Sequence, residues 1–124
     1  MGTKQYRHAA LITASATVSN LATAQLAAQA ELRGGNLLAF ADDNVTSAEN
    51  DANSVSSTFG SRQPPDARSL ALQQKLSQPL SQATSALSQL RTALRDGDRA
   101  GIHKALRAVA SSLRMFQRLQ QGLQ

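Results

Sequence analysis

The sequence predicts an all-α protein built from two antiparallel helical hairpins, four helical segments that form a helical bundle or a coiled-coil-like assembly. Three observations carry this. Apolar residues recur in steps of three and four, which draws a stripe down one side of a helix, and no segment alternates with period two as a half-buried strand does. Gly34-Gly35 and Arg95-Asp96-Gly97-Asp98 interrupt the stripes at the places where turns would fall. The 124 residues are enough for one small domain or two hairpins in series.

The first stripe runs Leu11, Ala14, Val18, Leu21, Gln25, Ala28 and Leu32, and it places a helix over about 5–33. After Gly34-Gly35 a second stripe starts in a new register at Leu38 and continues through Ala41, Val45, Ala48, Ala52, Val55 and Phe59. The change of register argues for a turn at 34–35 and a second helix over about 36–59, so that 1–59 forms one hairpin. Its stripes are mostly alanine and valine, and residues 44–58 are modest helix formers. At about 25 cal/mol per Å² of buried apolar area, alanine stripes contribute far less than leucine stripes. This hairpin is therefore expected to need a partner surface: the second hairpin, another copy or another protein.

Residues 60–66 form a Pro-containing linker, in which Pro64-Pro65 favours extended backbone and Asp66 is a cap for the next helix. The third stripe is Leu76, Leu80, Ala83, Leu87, Leu90 and Leu94. Pro79 lies within it, which predicts either a kink or a helix whose continuous part begins near Ser77-Gln78. The fourth stripe is Ile102, Leu106, Val109, Leu113 and Phe116, then Gln120 and Leu123, with Asp98 as its cap. Residues 67–124 thus form a leucine-rich basic hairpin that turns at 95–98. Its large stripe residues are the expected core or partner interface.

Thirteen Lys and Arg against eight Asp and Glu give a net charge of +5. The charges are sorted by segment. Asp42, Asp43, Glu49 and Asp51 form an acidic face in a segment with no Lys or Arg, and Lys104, Arg107, Arg114 and Arg118 form a basic row on the fourth helix, beside its apolar stripe. Matching signs would set the second helix near the fourth, within one chain or between subunits. The basic row suits phosphates or an acidic protein face.

Enzyme chemistry is poorly supplied. There is no cysteine or tryptophan, aromatics are 3% of the chain, and His8 and His103 stand far apart. Lys104 and Arg107 lie where a second ligand or a carboxylate partner of His103 would have to be. No phosphate-loop pattern surrounds Gly34-Gly35, and no serine sits in a nucleophile elbow. The Asp42-Asp43 pair reads as a solvated face rather than an ion site. No cofactor or metal is expected.

No apolar run reaches the length of a membrane span. Residues 1–30 lack acidic residues, and Ala22-Thr23-Ala24 resembles a processing site, yet Thr13, Ser15 and Thr17 interrupt the apolar stretch that a leader needs. A cytoplasmic chain is expected, with organellar or secreted locations as alternatives. Size and the alanine-rich first hairpin are similar to the small helical-hairpin proteins of type VII secretion, but their Trp-x-Gly turn has no counterpart here, so no residue role is carried over. The expected function is that of a non-enzymatic all-helical adaptor, a small subunit that packs helices against other proteins or itself. The alternatives are a nucleic-acid-binding module that uses the basic helix and a secreted helical-hairpin protein.

Overall fold

A computed structural model describes residues 2–34 and 38–124. Four helices, 90% of these residues, pack as a bundle with no strand among them. They are α1 (Thr3–Leu32), α2 (Leu38–Gly60), α3 (Ala67–Asp96) and α4 (Arg99–Leu123). No helix among the described residues is long and apolar enough to cross a membrane.

Local chemistry sets the helix ends. Asp66 accepts from the Ser69 N–H at 2.8 Å and Asp98 from the Gly101 N–H at 3.0 Å, each satisfying one free donor of a first turn. A Cβ on Gly101 would stand 2.5 Å from Asp98 Oδ2, so this cap and this glycine belong together. Gly97 closes α3 in the left-handed region at φ +63°, and Gly34 follows α1 at φ +89°. Gly35 and Asn36, the rest of the predicted first turn and the predicted start of the second helix, lie outside the described residues.

Of the two expectations raised by Pro79, the late start is not met. α3 runs unbroken from Ala67 through Pro79 and begins ten residues before Ser77. The capped start fixes the first turns. Leu76 and Leu80, buried on either side of Pro79, anchor the helix where the ring has removed the donor to the Lys75 carbonyl.

The connections are short, so successive helices are antiparallel neighbours. α4 closes the ring against α1 along its whole length. Arg99 donates to the Leu32 carbonyl at one end (3.1 Å), Gln120 to Ser15 Oγ in the middle (3.0 Å) and Arg7 to the Gly122 carbonyl at the other end (2.8 Å). One core runs through the bundle. Its large members are Tyr6, Leu21, Phe59, Leu76, Leu87, Leu90, Leu94, Val45, Val109 and Phe116.

α1 approaches all three other helices, whereas among the described residues no Cα of α2 comes within 8 Å of one in α4. The side chains that α1 buries explain this. Ala9, Ala10, Ala14, Ala24, Ala27 and Ala28 are small, and the buried hydroxyls of Thr13 and Thr17 are satisfied within the helix, on the Ala9 and Thr13 carbonyls at 2.8 Å each. Small side chains let α3 approach α1 across the diagonal of the bundle, and the other diagonal is correspondingly long. The partner surface that the weak first hairpin needs is supplied by the second.

Candidate functional site

The candidate surface is built on α4. Leu76, Leu80, Leu87, Leu90, Leu94, Ile102, Val109 and Phe116 are buried within the chain, and Leu106 and Leu113 are half-buried against the same core. These stripes are consumed in holding the bundle together, so only the outward faces are left open.

The two charged groups behave differently. Lys104, Arg107, Arg114 and Arg118 are all exposed, and none has a hydrogen bond or ion pair among the described residues. At 3.6 residues per turn they fall within an arc of roughly 80° and span about 21 Å of helix. Val109 and Phe116 point across the helix from them, with half-buried Leu106 and Leu113 between. The row therefore faces solvent, and Arg118 borders an apolar hollow over Leu119 and Leu123.

The four acidic residues do not form one face. Glu49, 9% exposed, takes Arg91 at 2.6 Å, and half-buried Asp42 takes Arg95 at 3.1 Å. Asp51 accepts from Asn20 of α1 at 2.8 Å, which leaves Asp43 alone toward solvent without a partner. The physical reason is angular. Asp42 and Glu49 are seven residues apart and share the side of α2 that meets α3, while Asp51 turns toward α1. The expected match between the second and fourth helices is thus replaced by pairing between the second and third. Arg91 and Arg95, one turn apart, were hidden in the sequence among the other basic residues of 67–124.

Opposite charges consequently sit on opposite edges of the bundle. α4 carries Arg99, Lys104, Arg107, Arg114 and Arg118 with no carboxylate, and α2 carries four carboxylates with no Lys or Arg.

Among the described residues, no three His, Cys, Asp or Glu side chains are grouped to hold a metal ion. His8 and His103 are exposed on different helices. Two titrating groups are perturbed, both at the end of the bundle where α1 begins. The hydrogen bond from the Thr3 hydroxyl, followed by the Ser69 backbone N–H, holds the Asp66 carboxyl below the usual carboxylate range. Burial pushes the Tyr6 phenol above the usual tyrosine range, with the Arg62 charge opposing it. Tyr6 is 0% exposed, its ring lies 5.3 Å from that of Phe59, and its hydroxyl has no partner among the described residues. Sequence reasoning misses this residue because the first stripe begins at Leu11 and Tyr6 sits five residues before it.

Compared with known protein families, curated proteins and solved structures, the chain matches none.

Proposed function

We propose that this chain is a non-enzymatic helical adaptor whose α4 presents a row of free cations to an acidic surface of a partner protein. The observation that carries the reading is the set Lys104, Arg107, Arg114 and Arg118, aligned along one exposed helix face with no carboxylate partner among the described residues. Unpaired like charges repel one another mildly along the helix, and an acidic partner turns that cost into attraction. The bundle consumes its apolar stripes internally and offers a stiff, charged edge, which serves recognition and orientation better than catalysis. Few aromatics and the lack of a base-reading motif favour a protein over a nucleic acid as the partner.

The test is the triple variant Arg107→Ala, Arg114→Ala, Arg118→Ala. Alanine keeps the helix, so circular dichroism should be unchanged. Pull-down from native cells, with mass measurement of the intact complex, should recover a stoichiometric acidic protein with the wild type and lose it with the triple variant. Micromolar or tighter binding of the wild type to random duplex or single strands at about 150 mM salt, lost in the variant, would overturn the proposal in favour of a nucleic-acid binder.

A further inference from the structure

The end of the bundle where α1 and α3 begin and α4 finishes carries a second surface, which meets the α4 row only at Arg118. A groove of about 620 Å³ opens between α1 and α3, lined by Lys4, Arg7, Arg68 and Lys75 around Ala71 and Leu72. A second hollow of about 310 Å³ shares Arg7, Leu72 and Lys75 with it and continues over Met115, Leu119 and Leu123 of α4. The two adjoin at Leu72, which lines both. No carboxylate lines either one. Asp66 lies outside both, with its oxygens committed to the Thr3 hydroxyl and the Ser69 N–H. Arg7 is tied to the Gly122 carbonyl at 2.8 Å, which fixes one cation at the junction. Lys4, Arg68 and Lys75 are exposed and free of ion pairs.

We infer that this groove binds a monomeric single-chain anionic amphiphile, an alkyl carboxylate or phosphate, with its head among Lys4, Arg7, Arg68 and Lys75 and its chain laid over Leu72 toward the α4 leucines. Charge complementarity selects the head: four cations line the first hollow against the single carboxylate of Asp66, which is bonded to the lining residues Thr3 and Ser69 and lies near Arg68. The apolar floor selects the tail, because a free phosphate would leave Leu72, Leu119 and Leu123 uncovered. The lysine and arginine stems extend that floor while their charged ends stay in water. Size suits a single-chain ligand: the larger hollow holds about 620 Å³, within the range of small-molecule sites.

Calorimetric titration of the full-length chain with octanoate, decanoate, dodecanoate and tetradecanoate, each below its micelle concentration, tests this. Affinity should rise about fourfold per added methylene. The double variant Arg68→Glu, Lys75→Glu should lose about 10- to 100-fold, and decyl phosphate should follow the same order as the carboxylates. Arg107→Glu with Arg114→Glu changes net charge equally on the outer face of α4 and should leave affinity unchanged. The inference is overturned if affinity ignores chain length, if dodecyltrimethylammonium binds as well as dodecanoate, or if both charge-reversal pairs weaken binding equally. It is also overturned if an acidic peptide or anionic phosphatidylglycerol vesicles capture the protein while the monomeric alkanoates do not. The chain-length series on the wild type stands even if a variant misfolds.

Discussion

Tyr6 allows the packing of the bundle to be tested with a change of one atom. Its ring is fully enclosed against Phe59, and its hydroxyl is buried without a partner among the described residues. A buried, unsatisfied polar group costs about 1–3 kcal/mol. Tyr6→Phe keeps the ring pair and removes that cost, so stability should rise by about 1–2 kcal/mol. For a chain of this size each kcal/mol moves Tm by about 3–5 °C. Tyr6→Ala should act in the opposite direction, losing about 3–5 kcal/mol with the ring. The same residue also gives a pH signature. Burial holds the folded phenol above its ordinary value, so between about pH 10 and the folded value the native state binds more protons than the unfolded one. This contribution is fully present below about pH 10 and is lost as pH rises through the folded value. Urea midpoints measured by circular dichroism on both sides of pH 10 should therefore fall more steeply for the wild type than for Tyr6→Phe. Tyr6 is the chain's one tyrosine, and there is no tryptophan, so phenolate absorbance reports its titration directly. A lower Tm for Tyr6→Phe, or absorbance that titrates at the ordinary tyrosine value, would show that the hydroxyl is solvated or bonded in solution and that the burial argument fails.

Two further perturbations examine the α3 face. Leu90 is fully buried, and Leu90→Ala should cost about 2–5 kcal/mol in urea unfolding; a loss below about 1 kcal/mol would mean that the core collapses around the gap or never closed on it. Arg91→Ala strands Glu49, whose side chain is only 11% exposed, and should cost about 1–3 kcal/mol. Arg95→Ala releases a more exposed pair, 51% and 27%, and should stay within about 1 kcal/mol. Equal losses at the two arginines would remove burial as the deciding factor.

The second hairpin was legible in the sequence because large side chains at three-four spacing have one way to be buried. All of Leu76, Leu80, Ala83, Leu87, Leu90 and Leu94 enter the core, as do Ile102, Val109, Phe116 and Leu123. The first hairpin was legible only in outline. On α1 the stripe residues Leu11 and Val18 end up half-buried, while Thr13 and Thr17, which read as polar, are buried because each hydroxyl bonds a carbonyl one turn back. Composition does not separate such a threonine from an exposed one. Pro79 does not delay the start of α3, because a missing donor does not end a helix whose neighbouring leucines are already held. The groove at the end of the bundle was out of reach, since its cations come from Lys4 to Arg118 on three helices and only the fold gathers them.

The placement of the free row follows from the same small residues that made α1 look weak. Alanines on α1 bring α3 in along one diagonal of the bundle and leave α2 and α4 apart on the other. With neighbouring helix axes about 10 Å apart, the long diagonal is at least about 14 Å, beyond the Debye length of about 8 Å at physiological salt. The carboxylates of α2 are therefore too distant to neutralise Arg107, Arg114 and Arg118, and two of them are already taken by Arg91 and Arg95. Replacing the alanines of α1 with larger side chains would widen the α1–α3 diagonal and let α2 and α4 approach. The sorting of charge by helix would then be spent inside the molecule instead of standing on its surface.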